Sequence, residues 1–132
     1  VKIDHVGVAV ASLAQARRFY EDLGILCEGE EEVPGQKVRT AFFRLGESRI
    51  ELLESTDPDG PIGRFVARRG PGLHHLCVEV PDVAAALAAL KARGYALIDE
   101  APRSGAGGHK VAFVHPKAAG GVLVELSERV ET

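Results

Sequence analysis

Two stretches of the chain alternate apolar and polar positions directly behind a histidine: IDHVGVAV at residues 3–10 and GLHHLCVEV at residues 72–80. Period-two alternation predicts a half-buried strand in each. Laid over one another, the two stretches bring the residues behind them into register without a gap. Val6, Val8 and Val10 match Leu76, Val78 and Val80. Ser12 and Asp82 stand seven residues beyond the aligned His5 and His75, and Gly24 and Gly94 stand nineteen beyond. A hydroxyl or carboxylate can accept from the open amides of a first helical turn, and glycine readily takes the left-handed conformation that closes a last one. Two helices of equal length are therefore expected. Leu13, Ala16, Tyr20 and Leu23 should line the core face of the first, and Val83, Ala86, Leu87 and Leu90 that of the second.

Behind each helix the pattern returns to period two. ILCEGEEEV, KVRTAFFRL and SRIELLE predict three strands in the first half, with Pro34–Gly35 and Gly46–Glu47 as breaks. YALIDE, HKVAFVH and GVLVELSE predict three in the second, with the glycine-rich SGAGG at 104–108 as a loop. Between the halves, GPIGRFVARRGPG places Pro61 at a helix start and Pro71 after its end, which predicts a short linking helix. The expected fold is α+β: two tandem βαβββ modules, 1–56 and 72–132, joined by a linking helix at 57–71, all within one domain spanning 1–132.

Composition narrows the function classes. At 45% apolar and 27% charged residues, the chain has the profile of a soluble globular protein. A net charge of −3 lacks the basic field that bulk nucleic-acid binding requires. The chain has no apolar run of membrane-spanning length, so neither nucleic acid nor membrane is expected as a partner. Cys27 and Cys77 have no CxxC spacing, and with no secretory h-region read in the sequence both are expected to be small core thiols in a reducing, cytoplasmic setting.

Side-chain phase selects the candidate chemistry. His5 alternates against Val6, Val8 and Val10, and His75 has the same phase, whereas His74 aligns with Asp4 and points the other way. Glu51 lies between Ile50 and Leu52, and Glu125 between Val124 and Leu126, so both carboxylates should face away from the helices. If the helix-free faces of two such sheets close on a shared cavity, His5, Glu51, His75 and Glu125 converge there. Two imidazoles and two carboxylates suit a divalent metal such as cobalt, nickel, manganese, iron or zinc. The same carboxylates could serve as bases toward a C–H group made acidic by a metal-polarised carbonyl. A lone strand histidine is more often a hydrogen-bonded structural residue than a ligand. Repetition at equivalent positions of both modules favours the ligand reading. His74 is expected to be a supporting or packing residue, and Glu54 and Glu128 surface charges. The SGAGG loop could offer amides to an anion, but it lacks the order of a P-loop. Arg39, Arg103, Lys110 and Lys117 could meet a charged acyl group or phosphates, and His115 could reach the cavity; ordinary surface charge explains the four cations equally well.

These segments resemble the vicinal oxygen chelate (glyoxalase/bleomycin resistance/dioxygenase) superfamily, whose paired βαβββ modules surround a divalent metal. IDHVGVAV, IELLE, GLHHLCVEV, GAGGHKVAFVHPK and GGVLVELSE together resemble its methylmalonyl-CoA epimerase family along nearly the whole chain. The resemblance implies one divalent metal per site, foremost cobalt(II), on His5, Glu51, His75 and Glu125. It also implies an isomerase that interconverts (R)- and (S)-methylmalonyl-CoA through a metal-stabilised enolate; the expectation that Glu51 and Glu125 move the proton comes from the residues of this chain and not from the resemblance. Some members carry a basic glutamate on the third strand, at the position that aligns with Thr40 here. Arg39, Lys110, His115 and Lys117 are the candidate contacts to the acyl-CoA substrate, and a homodimer is the implied assembly. A glyoxalase I-like enzyme acting on a glutathione hemithioacetal and a non-catalytic metal- or drug-binding resistance protein share the scaffold and stay open as alternatives.

Overall fold

The structure, a computed structural model, describes residues 1–128. The chain divides into two compact units, one of His5–His74 and one of Val1–Asp4 with His75–Thr132. The fold is α+β, and each half runs strand, helix, strands in the expected order.

In the first half, β1 (Lys2–Val10) leads into α1 (Leu13–Asp22), then β2 (Cys27–Val33), β3 (Val38–Leu45) and β4 (Ser48–Ser55). Strand order is β2-β3-β4-β1. The β2–β3–β4 meander is antiparallel, and the crossover through α1 lays β1 parallel to β4, with Gly7 opposite Glu51. Val10, Leu13, Ala41, Phe43 and Leu52 form the buried cluster beneath α1, with Val8, Ala16, Tyr20 and Ile50 against it. Leu23 does not join them. It stands at the helix C-cap, where the backbone leaves the helical path, and its side chain is 62% exposed. After β4, α2 (Pro61–Arg69) occupies the predicted link, with Pro61 in its first turn.

In the second half, β5 (Gly72–Glu79) precedes α3 (Val83–Ala92), and the order β5-β8-β7-β6 repeats the plan. Val83, Leu87, Ala112, Val114 and Leu126 are buried together, with Val78, Val80, Ala86 and Leu90 packed on them. The strands β7 (Lys110–Val114) and β8 (Val124–Glu128) sit within the predicted segments. YALIDE is the exception. It forms no strand, only a bridge from Leu97 to Val114. Ile98 and Asp99 both donate backbone N–H to the Phe113 carbonyl, and the Asp99 carboxylate accepts the Phe113 N–H at 2.8 Å, where a strand would offer its own carbonyl. The side chain thus replaces a rung of the ladder, and the edge is completed farther on by a two-residue strand, β6 (Arg103–Ser104). SGAGG lies partly in that strand and partly in a short 3-10 turn at Ala106–Gly108.

The helix ends are duplicated in detail. Ser12 accepts from Gln15 N–H and Asp82 from Ala85 N–H, as the sequence predicts. Gly24 (φ 91°) and Gly94 (φ 85°) hold the left-handed positions. Ile25 and Tyr95 then return N–H bonds to Tyr20 and Leu90, completing a Schellman closure at each end. Glu54 and Glu128 are not plain surface charges. Each reaches from the end of the last strand of its half to the first free helical amide: Leu13 N–H donates to Glu54 at 2.7 Å and Val83 N–H to Glu128 at 2.8 Å. Carboxylates there satisfy an amide no helix carbonyl can reach and oppose the helix dipole.

On the outer strand, the Glu30 carboxylate receives Arg17 at 2.5 Å and Arg39 at 2.8 Å. The Arg17 hydrogen bond, then that of Arg39, holds Glu30 below its ordinary value of 4.5. A folded-state value lowered in this way means that the stabilisation is complete above pH 4.5 and is lost as pH falls through the folded value. Glu30→Gln should therefore lower stability near neutrality and have no effect well below that value, as measured by urea unfolding across a pH series. Glu54→Ala and Glu128→Ala should each cost about 1–2 kcal/mol, read from the shift in the urea midpoint at unchanged slope.

Candidate metal and proton-transfer site

A carboxylate is rarely buried in the middle of a strand without a partner. This chain buries one in each half. Glu51 is 4% exposed and Glu125 5%. Their strand neighbours explain the direction they take: Ile50 and Leu52 pack under α1, and Val124 and Leu126 under α3, so alternation turns each glutamate to the helix-free face.

In the first half, His5 Nδ1 lies 3.1 Å from Glu51 Oε2. The parallel pairing of β1 and β4 sets this contact, because it places His5 opposite Arg49 and Gly7 opposite Glu51. Gly7 has no side chain to intrude between them. In the second half, His75 Nε2 lies 3.0 Å from Glu125 Oε1, across the equivalent parallel pair, in which Cys77 stands opposite Glu125. Both imidazoles are buried. The halves use different ring nitrogens, so the arrangement is repeated in kind but not copied atom for atom.

Each pair offers two adjacent donors of the kind a divalent ion takes. Nitrogen and oxygen donors about 2.1 Å from one ion and roughly at right angles stand about 3 Å apart, the separation found in each pair. The same separation suits a hydrogen bond, by which a histidine N–H orients a carboxylate.

Each glutamate also has a phenylalanine directly across the antiparallel ladder, Phe42 opposite Glu51 and Phe113 opposite Glu125. The Phe113 ring meets His75 edge-on, with centroids 5.9 Å apart. Each ring also carries an arginine: Arg49 lies 5.7 Å from the Phe42 centroid and Arg103 lies 4.9 Å from that of Phe113. The two arginines differ in what they bond. Arg49 Nη2 donates to Glu51 Oε2 at 3.1 Å, the oxygen His5 also contacts, whereas Arg103 bonds Asp99. Arg49 was not among the residues singled out from the sequence. Its place two positions before Glu51, hence on the same face, is the signal that could have found it.

The other candidates occupy varied settings. Arg39 is engaged by Glu30 and Glu32. Lys110 and Lys117 are exposed on the second half. His115 begins the short 3-10 turn Pro116–Ala119, and its Nδ1 accepts the Lys117 N–H at 3.0 Å. Thr40 is 1% exposed on β3, opposite Leu53. His74 packs edge-on against Phe65 of α2, centroids 4.9 Å apart, in keeping with a packing role. Cys77 is fully buried and Cys27 partly so, and both are free thiols. No helix among the described residues is long and apolar enough to cross a membrane.

Comparison with known proteins accords with this geometry. The sequence pattern of the Glyoxalase/Bleomycin resistance protein/Dioxygenase superfamily matches residues 4–113. The chain is 43% identical to the uncharacterized protein YqjC of Bacillus subtilis, over 96% of this chain and 91% of that one. It is 38% identical to the mitochondrial methylmalonyl-CoA epimerase of Mus musculus, covering 96% of this chain and 72% of that one. A variant of the Streptomyces coelicolor methylmalonyl-CoA epimerase, solved in complex with 2-nitronate-propionyl-CoA, superimposes with a TM-score of 0.95 at 33% identity, covering 99% of each chain. The repeated βαβββ plan, the buried imidazole–carboxylate pair in each half and these likenesses place the chain in the glyoxalase/bleomycin resistance protein/dioxygenase superfamily, among its methylmalonyl-CoA epimerases.

Proposed function

We propose that the chain is a methylmalonyl-CoA epimerase, removing the proton on the carbon between thioester and carboxylate and returning it to the opposite face. The observation that carries this reading is the duplicated buried pair, His5 with Glu51 and His75 with Glu125, in a chain similar along its length to enzymes of that name. His5, Glu51, His75 and Glu125 are the ligands we assign to one divalent cation. Cobalt(II) is the first assignment; nickel, manganese, zinc and iron(II) suit the same mixed donors. Such a cation, when bound, polarises the thioester carbonyl and makes the neighbouring C–H more acidic.

The chain's own residues then have distinct tasks. Glu51 and Glu125 are the groups we assign to proton removal and return. The imidazole beside each holds the carboxylate in one orientation. Phe42 and Phe113 give each glutamate an apolar neighbour, a setting that suits a base more than a solvated carboxylate would. Arg39, Lys110, His115 and Lys117 are assigned to the charged CoA portion. We place the protein in the cytoplasm because both cysteines are free thiols, and we infer a homodimer from the superfamily resemblance. The glyoxalase and resistance-protein readings share the scaffold, but the named relatives do not favour them.

In heavy water, the protein should introduce deuterium at the α position of methylmalonyl-CoA. EDTA should stop the exchange and cobalt(II) restore it, with no turnover of the methylglyoxal–glutathione hemithioacetal. Glu51→Gln and Glu125→Gln should each slow exchange by about 100-fold or more, followed by mass spectrometry separately from epimerisation. Undiminished exchange in both variants would remove the glutamates from the chemistry. Elemental analysis after chelator-free purification should find about one divalent ion per chain, lost in His5→Ala and His75→Ala.

A further inference from the structure

We infer that Asp99 and Arg103 are positioning residues that hold the His75 imidazole in place through the ring of Phe113, so that Glu125 keeps a fixed partner. The consequence for turnover rests on the epimerase reading, which leaves both residues without a task.

The contacts run in one line within a single compact unit. Asp99 Oδ2 accepts the Phe113 N–H at 2.8 Å and also lies 3.2 Å from Arg103 Nε. The Asp99 amide, with that of Ile98, donates to the Phe113 carbonyl. Arg103 in turn lies over the Phe113 ring, its guanidinium carbon 4.9 Å from the centroid. The His75 ring stands at 83° to that of Phe113 with centroids 5.9 Å apart, and His75 Nε2 lies 3.0 Å from Glu125 Oε1. Phe113 is also the residue opposite Glu125 on the β7–β8 ladder. One carboxylate thus fixes both the backbone and the ring of a residue that touches the buried pair.

The use of a carboxylate separates this edge from ordinary pairing. In the first half the equivalent Phe42 faces Gly29 of a full strand, β2. A strand carbonyl would satisfy the Phe113 amide equally well, but it has no net charge with which to hold a guanidinium. Asp99 has one, and its side chain is 19% exposed against 43% for Arg103, so water screens the ion pair only in part. The backbone of Arg103 is seated as well. It pairs with Val111, and a Cβ on nearby Gly105 would stand 2.8 Å from Val111 Cγ1, which keeps this segment close against β7. A cation over an aromatic ring is attracted by the ring quadrupole. With the guanidinium over it and the imidazole at right angles to it, the Phe113 ring cannot tilt without loosening one contact. An imidazole that tilts changes its distance to Glu125, and proton transfer depends steeply on such distances. Arg103 therefore acts on turnover through His75, where a substrate contact would act on binding.

The test separates holding from binding and from folding. Epimerisation is followed at saturating cobalt(II) in wild type, Arg103→Gln, Arg103→Lys, Asp99→Asn, Phe113→Leu and the double variant Phe113→Leu/Arg103→Gln. Arg103→Gln should lower kcat about 3- to 10-fold with KM changed by less than about two-fold, and Arg103→Lys should recover part of the loss. Asp99→Asn can still accept the Phe113 amide but has no charge for Arg103, and should give the same split. In the Phe113→Leu background, Arg103→Gln should have no further effect. In metal-free protein carrying 15N-labelled histidine, the His75 ring signals should shift in Arg103→Gln and Asp99→Asn while those of His5 stay, the signals being assigned with His75→Ala and His5→Ala. A raised KM at unchanged kcat would overturn the inference in favour of a substrate contact. Unmoved His75 signals would overturn it whatever happens to the urea midpoint, and leave the ion pair a structural tie. Additive losses in the double variant would overturn the route through Phe113. Arg103 is well exposed, so Arg103→Gln carries the test even where Asp99→Asn or Phe113→Leu does not fold. Failure of the epimerase reading shows separately, as absent α-proton exchange in wild type; the His75 signals then still decide whether Arg103 and Asp99 hold the ring.

Discussion

A carboxylate drawn into the middle of a β-sheet loses its water and must find a cation or a donor in its place. The chain meets this demand twice, with an imidazole on a parallel neighbouring strand about 3 Å from each glutamate. Much of the local architecture follows from that requirement. The histidine must sit on the first strand of its half and the glutamate on the last, and the two strands must be adjacent. Parallel neighbours require a long crossover connection, which in each half includes a helix. The helix then covers one face of the sheet and leaves the other to the polar pair. Packing and chemistry are thereby assigned to opposite faces by alternation alone.

Burial on the helix side and capping at the helix start are coupled through the same strand. On β4, Leu52 enters the core, Glu51 turns to the polar face, and Glu54 reaches the opening amide of α1. On β8, Leu126, Glu125 and Glu128 do the same for α3. Each helix is therefore tied at its start to the strand that carries the buried glutamate. Displacing the helix would break the cap and disturb the register of that strand together, which gives the acid a fixed platform instead of a mobile one.

Repetition is incomplete where the halves differ in charge and in edge structure. The first half gives its glutamate a guanidinium from the same strand, while the second ties its arginine to Asp99. The first half has a full outer strand in β2, while the second replaces most of its outer strand with an aspartate side chain and two residues of β6. Two similar but unequal halves thus hold their buried carboxylates in unequal settings.

The sequence by itself determined whatever depends on local period and on repetition. The strand that begins each half, the helix between Ser12 and Gly24, its twin between Asp82 and Gly94, and the phase of His5, Glu51, His75 and Glu125 could be read because neighbouring residues on one strand or helix share a fixed geometry. The comparison of two halves sharpened each of these readings. Tertiary structure alone decided the contacts made across the chain. Glu54 and Glu128 looked like surface charges because their amide partners lie 41 and 45 residues away. YALIDE had a strand's pattern, but the Asp99 carboxylate takes the Phe113 amide in place of a ladder carbonyl. Leu23 fitted the helical stripe, but the helix ended under it. Arg49 and Glu51 are two residues apart on β4, but only the pairing of β1 with β4 brought His5 to the same oxygen. Pattern reports which face a side chain occupies; what it meets there depends on segments that only the folded chain brings near.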